Sequence, residues 1–285
     1  MNRLPPFILL VLCFISIEAI SQDDKTNHHP SLRLFAGFMN YQGDLNPNSF
    51  SISHSRVALG VSIIQPINRW LSLRGGFTFG KVEAADRYNR DYLKSRNLSF
   101  FSGISELHAA MEVNFVDLEK GRISPYIFAG VALFHFNPWT FDNAGNKVFL
   151  KPLSTEGQGL SEYPSQKPYQ LTQISIPYGV GLRYKLGNAL IIGLEFSQRK
   201  TFTDYLDDVS SFYVDKEILL SNKGAQAIQL GYRGASAYPS AGEQRGTPTE
   251  NDWYYSAGIT LESKLNAILT LFGIAARPKW KCPVL

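Results

Sequence analysis

Ile174-Ser-Ile-Pro-Tyr-Gly-Val-Gly-Leu-Arg-Tyr-Lys-Leu186 alternates without a break. Ile174, Ile176, Tyr178, Val180, Leu182, Tyr184 and Leu186 are apolar or aromatic, while Ser175, Pro177, Gly179, Gly181, Arg183 and Lys185 are polar, cyclic or bare. Successive side chains of a strand point to opposite faces, so this segment has one greasy face and one polar face. A soluble sheet would turn the greasy face to a packed core. A barrel in lipid turns it to acyl chains and lines its lumen with the polar face.

Seven further segments carry the same rhythm: Leu32–Tyr41, Arg56–Ile64, Leu71–Val82, Phe101–Phe115, Pro125–Phe136, Leu190–Arg199 and Trp253–Glu262. Pro125–Phe136 is the least regular, because both of its faces are largely apolar. A tilted strand needs about 9–11 residues to cross a bilayer, which these segments supply. Their lipid-facing candidates include Val57, Leu59, Val61, Ile63, Phe77, Phe79, Leu107, Met111, Ile259 and Leu261. Their opposite faces place Arg56, Arg74, Glu106, His108, Glu112, Arg183, Glu195 and Glu262 in the lumen, where unlike charges must pair to be buried.

The links between segments alternate in length. Gln65–Arg69, Asp117–Arg122 and Gly187-Asn188 are short, whereas Gly43–Ser55, Glu83–Leu98, Asn137–Tyr169 and Thr203–Asn251 are long. Short periplasmic turns and long extracellular loops mark bacterial outer-membrane barrels. The expected fold is all-β: a closed antiparallel transmembrane barrel of eight strands, with both ends in the periplasm. Partial alternation in Val209–Leu220 and Ala225–Tyr232 leaves ten strands as the alternative.

Composition agrees. The 285 residues are 13% aromatic, which suits interfacial girdles, and 18% charged. A net charge of +4 with no basic run gives no support to nucleic-acid binding. Met1-Asn-Arg3, the apolar run Phe7–Ile17 and small Ala19 before Ser21 read as an export signal. The expected organisation is residues 1–20 as signal peptide, 21–30 as a periplasmic lead-in, 31–264 as barrel with loops, and 265–285 as a periplasmic tail.

That tail is apolar over Ala267–Ala276 and then basic and aromatic. Phe272, Arg277, Lys279, Trp280 and Lys281 are the candidate docking residues for a periplasmic partner, with Cys282 available for a disulfide to it. A continuation of the last strand, or a segment lying on the membrane surface, is the plainer reading of the same residues.

Motifs for chemistry are weak. Gly75–Lys81 has most of a phosphate loop, but Val82 follows where Ser or Thr is needed, and no helix pattern comes after it. Glu106, His108 and Glu112 line one stripe of one strand, where pairing with arginines is a more economical reading than catalysis. Thr203–Asp208 concentrates carboxylates but lacks the glycine-turned spacing of a calcium loop, so a solvated or arginine-paired loop is expected. No cofactor, metal, catalytic residue or small-molecule substrate is expected.

Asn40-Tyr-Gln-Gly-Asp-Leu45, Arg199-Lys-Thr-Phe-Thr-Asp-Tyr-Leu-Asp-Asp-Val-Ser210 and Gln244-Arg-Gly-Thr-Pro-Thr-Glu-Asn-Asp-Trp-Tyr254 together resemble the PorG-like family of outer-membrane barrels. The resemblance implies a non-enzymatic component of the type IX secretion machinery, or a paralogue of it, that ties a periplasmic ring lipoprotein and its partner protein to the outer membrane. The Ala267–Ala276 insert departs from a simpler family ending. The charged residues of these stretches, Asp44, Arg199, Asp204, Asp207, Asp208, Arg245 and Asp252, lie at strand ends on the long-loop side, where a polar belt is expected to close the outer mouth through Asp44, Arg199 and Asp252. A narrow channel is the alternative function, and an envelope hydrolase a weaker one.

Overall fold

The computed structural model describes residues 29–47, 54–187 and 190–267. The proposed signal peptide, Cys282 and the docking candidates Phe272, Arg277, Lys279, Trp280 and Lys281 lie outside the described residues. Long strands form where alternation was read: β1 Ser31–Gln42, β2 Arg56–Pro66, β3 Leu71–Ala85, β4 Ser99–Asn114 and β5 Ile123–His135. A small hairpin of β6 Trp139–Phe141 and β7 Lys147–Phe149 comes next. β8 Thr172–Lys185, β9 Leu190–Thr201 and β10 Trp253–Lys264 complete the set.

Pairing is antiparallel throughout and runs β3-β2-β1-β10-β9-β8-β5-β4, and β3 also pairs with β4. The sheet therefore closes on itself as an eight-strand barrel with no free edge. β1 and β10 form the closing seam, with Ser31 opposite Lys264 and Gln42 opposite Trp253. Leu265 N–H donates to Pro30 O at 2.9 Å, one step beyond the ladder.

The alternation fixes which face is which. Val57, Leu59, Phe77, Phe79, Met111, Val131, Leu194 and Ile259 are all exposed, while their strand neighbours Ala58, Thr78, Ala110, Ala132, Glu195 and Thr260 are buried. Val57, Val131 and Leu194 each stand 61% open. A continuous apolar exterior of this extent is not stable against water, and lipid is the solvent that suits it. No helix among the described residues is long and apolar enough to cross a membrane. Tyr255, which shares the outward phase, is covered beside Phe196 and is the exception on β10.

Both faces of β5 are apolar for a physical reason. Its inward side chains Tyr126 and Phe128 fill the lumen, and the opposing β8 residues have no side chain to obstruct them. A Cβ on Gly181 would sit 2.2 Å from the Tyr126 ring, and one on Gly179 would sit 2.8 Å from Phe128. The bare positions in Ile174–Leu186 are thus space made for aromatics of the neighbouring strand.

Above the lipid band the long loops pack into a cap. Leu45, Phe100, Phe134, Phe136, Leu206, Val209, Leu219 and Leu230 join in one buried apolar cluster that continues upward from the lumen. The two segments weighed as extra strands are helical instead, over Lys216–Lys223 and Ala225–Gly231. The Asp215 carboxylate accepts from the N–H groups of Glu217 and Ile218, capping the first helix, and Gly224 at φ 83° separates the two. The sheet gains its additional strands from the β6–β7 hairpin, which joins β4 at Phe101 opposite Trp139 and stands outside the cylinder.

Candidate functional site

Two buried polar systems occupy the axis of the molecule. The lower one crosses the lumen. Glu112 on β4 accepts from Arg33 on β1, Oε1 from Nη1 at 2.5 Å and Oε2 from Nη2 at 3.1 Å, and from Arg183 on β8. Arg33 also donates to Glu262 on β10, from Nε at 3.0 Å and Nη2 at 2.8 Å. Arg74 on β3 grips both oxygens of Glu195 on β9 at 2.7 and 3.0 Å, and the Tyr126 hydroxyl donates to the same carboxylate at 2.6 Å. Arg183 lies 4.4 Å from the centroid of Tyr126 and Arg74 4.7 Å from that of Phe128, so aromatic faces cover the flat sides of guanidiniums whose edges the carboxylates hold.

Higher in the lumen, Arg199 on β9 holds Glu106 on β4 by two bonds of 2.9 and 3.1 Å, and Tyr254 donates to Glu106 at 2.7 Å. Its remaining donor meets Ser197 Oγ at 2.6 Å and Ser256 Oγ at 2.8 Å. His108 joins the two levels: Arg74 Nε donates to its Nε2 at 3.3 Å, so the ring proton lies on Nδ1, which faces Glu106 Oε1 at 3.3 Å. Glu106, His108 and Glu112 are therefore brought together, and both carboxylates are held by guanidiniums.

Two expectations change. Arg56 does not join the lumen network. It sits at the first position of β2, above the last β2–β3 pair, and its half-exposed side chain meets Glu83 at 2.6 Å on the outer rim. Arg199 meets neither Asp44 nor Asp252. Although placed near the end of β9, its long side chain turns down the lumen to Glu106. Arg33 was not singled out from the sequence, yet it bridges Glu112 and Glu262. Its phase with Phe35, Met39 and Tyr41 was the available signal.

The outer mouth gathers Asp204, Asp207, Asp208, Arg245 and Asp252, all buried, and Asp44, which is partly buried. Arg245 donates to Glu156 at 2.8 Å and to the Asp208 carbonyl at 2.5 Å. Glu156 also accepts from the Ser210 and Ser211 amides at 2.9 and 3.0 Å, and no motif in its long loop announces that role. Asp208 accepts from the hydroxyls of Tyr169 and Thr155, each at 2.7 Å. Asp44 accepts from Thr247 N–H at 3.0 Å, and Arg96, bound through two bonds to Asp86, reaches the Asp44 carbonyl at 3.1 Å.

Tyr41 carries the most informative geometry here. Its hydroxyl lies 2.6 Å from Asp207 Oδ2 and 2.9 Å from Asp252 Oδ1. One phenolic proton cannot serve two carboxylates. Asp207 also accepts from the amides of Val209 at 2.9 Å and Leu45 at 3.3 Å, so it is the ionised partner. The extra proton then belongs on Asp252 Oδ1, donating to the phenol oxygen, while Asp252 Oδ2 accepts from Leu206 N–H at 2.8 Å.

The electrostatics agree that the pair keeps a proton of its own. Burial pushes both Asp207 and Asp252 well above the usual carboxylate range, and neighbouring carboxylates push further. Burial also raises Asp204 to about 9, with Asp207, Asp44 and Glu156 adding their charge. Asp208 rises only to about 6, because Arg245 and two hydroxyls offset its burial. Among the described residues no group of three or more His, Cys, Asp or Glu side chains is arranged to hold a metal ion. The arginine-paired reading of the Thr203–Asp208 loop thus holds for Asp208, whose carboxylate Arg245 approaches to 3.9 Å, while Asp207 and Asp252 rely on amides and a shared proton and Asp204 on its own proton.

Comparison with known proteins gives a family. A family model described as a domain of unknown function, DUF6089, matches residues 6–218. No curated protein matches the chain. Among solved structures, Neisserial surface protein A has 11% identity and a TM-score of 0.43, over 83% of this chain and 97% of its own. Ail of Yersinia pestis has 8% identity and a TM-score of 0.41, over 84% and 99%. The outer membrane protein OprG of Pseudomonas aeruginosa has 9% identity and a TM-score of 0.37, over 84% and 99%.

Proposed function

We propose a role for this chain, which belongs to the DUF6089 family: it is a non-conducting, non-enzymatic outer-membrane anchor that holds or helps assemble a periplasmic component of a type IX protein secretion machinery. The observation that carries the reading is the lumen. Arg33, Arg74, Arg183 and Arg199 are matched with Glu112, Glu195, Glu262 and Glu106 across the whole bore, each of them buried. A narrow channel would need these pairs to part and leave uncompensated charge in a low dielectric, which costs several kcal/mol per ion. Eight strands leave an interior that side chains alone can fill.

What is left for such a barrel to do lies at its two ends. On the short-turn side, the strand ends Ser31 and Lys264 emerge next to one another and the PorG-like motifs point to a ring lipoprotein and its partner protein as the occupants. Outer-membrane lipid is the second partner, gripped by the apolar exterior. Planar-bilayer recording checks the closed lumen: no conductance above the lipid background is expected, and stable unitary currents would favour the channel. Cross-linking of intact envelopes, followed by pull-down, checks the anchor. A periplasmic lipoprotein complex should be recovered, through a covalent band that Cys282→Ser removes if the tail cysteine is the clamp. Recovery of no periplasmic protein in either background would reject the anchoring role.

A further inference from the structure

On the long-loop side, between the upper ends of β1 and β10 and the loop that follows the Ala225–Gly231 helix, lies a cleft of about 890 Å³. Gln42 and Trp253, register partners at the top of the seam, form its base, and Tyr92, Tyr213, Tyr232 and Tyr238 line its walls. Trp253 shares the outward phase of Ile259 and Leu261 and stands four residues above exposed Ala257, about 13 Å along the strand. The cleft therefore begins just above the lipid band, at the level where carbohydrate meets a bacterial surface.

The walls have a definite chemistry. Tyr213, Tyr232 and Tyr238 pack edge to face, with interplanar angles of 80°, 82° and 85°, which fixes an aromatic corner. Tyr92 stands 65% exposed across from it. Tyr213 is 4% exposed, and among the described residues neither its hydroxyl nor that of Tyr238 has a hydrogen-bond partner. Both oxygens are closed to solvent, so the cleft meets the rings of these tyrosines and not their hydroxyls. Arg96 and Arg245 also border the cleft, but Asp86 and Glu156 hold their guanidiniums, so neither offers a free cation. Glu243 and Glu250 add negative charge to the rim and oppose an anionic ligand. The complement of these walls is a rigid, uncharged molecule with flat C–H faces for the rings and hydroxyls around its edge, which describes a pyranose.

We propose that this cleft binds a neutral saccharide unit, supplied either as the head of an outer-leaflet glycolipid or as a free chain from outside the cell. The test uses the whole mature protein in a sugar-free detergent. Maltoheptaose, cellotetraose and chitotetraose are titrated in, with tetragalacturonate and a Gly/Ser octapeptide as the anionic and peptide probes, reading Trp253 fluorescence and saturation-transfer NMR. At least one neutral oligosaccharide is expected to bind. Tyr232→Ala and Tyr92→Ala should each weaken it about tenfold. Trp253→Phe should abolish the fluorescence change, and Tyr88→Ala, an exposed tyrosine outside the cleft, should leave binding intact. A second arm reads Trp253 in vesicles with and without a neutral glycolipid, and a response confined to those vesicles assigns the glycolipid as the source. The proposal falls if neither arm responds, if tetragalacturonate or the peptide binds more tightly than every neutral saccharide, or if the Tyr232 and Tyr92 variants bind as the parent does.

Discussion

The lumen and the outer mouth both bury carboxylates, and they solve the problem in different ways. In the lumen each glutamate has a guanidinium in direct contact, and aromatic faces cover the rest. At the mouth, Arg245 and Arg96 face Asp44, Asp86, Asp204, Asp207, Asp208, Asp252 and Glu156. The shortfall is made up by backbone amides, hydroxyls and retained protons. The first arrangement is intolerant of losing a member. The second tolerates substitution by a neutral group but depends on pH.

The largest expected effect follows from breaking the lumen. Glu112→Ala leaves Arg33 and Arg183 short of their shared carboxylate, and should cost about 3–5 kcal/mol. Urea unfolding of the barrel refolded into lipid vesicles measures it, and a loss under about 1 kcal/mol would mean that the lumen relaxes like the mouth. Arg245→Met should cost less, about 2–3 kcal/mol, and locally, by stranding Glu156 and the Asp208 carbonyl. Limited proteolysis should then cut within Thr203–Asn251 while the strands stay intact. A cooperative loss of the whole barrel would merge the two regions into one.

A pH series sharpens the contrast further. Asp204, Asp208 and the Asp207–Asp252 pair titrate higher in the folded protein than the unfolded value of about 3.9. Their protons support the fold below that value, and the support is lost as pH rises through the folded ones, about 6 for Asp208 and about 9 for Asp204. Hydrogen-exchange protection at Leu206 and Val209, corrected for intrinsic rate, should fall between those pH values, while amides of the β4 ladder hold theirs. Asp252→Asn supplies an amide donor to Tyr41 in place of the acid proton and should flatten part of the slope. A cap whose protection is level with pH in the parent protein would remove the shared proton. The smallest effect is expected at the rim, where Arg56→Gln removes an exposed bridge to Glu83 and should shift stability by about 0–1 kcal/mol.

The barrel was legible because a period of two repeated over a membrane's width leaves little else to build. Lumen pairing was legible in kind but not in partners. Glu106 and Glu112 share a face by parity alone, but which arginine reaches them depends on side-chain length and strand stagger, so Arg199 was placed a level too high. Arg33 was hidden between Leu32 and Leu34 near the start of its strand. The cap was least legible. Val209–Leu220 alternates weakly enough to pass for a strand, and the Asp215 cap that starts the Lys216–Lys223 helix is a contact rather than a pattern. Glu156 gathers Arg245, Ser210 and Ser211 from far along the chain, and nothing near it in sequence marks it.

The closing seam bears on how such a cylinder carries mechanical load. Its two strands finish together, so tension on only one tail would peel the ladder open from Ser31 and Lys264, bond by bond. Two residues in, Arg33 and Glu262 lie opposite one another and are joined by two bonds, a rivet at the point where a tear would start. A binder that clasps both tails at once would convert peeling into shear along the full length of the seam, the direction in which a hydrogen-bonded ladder is strongest.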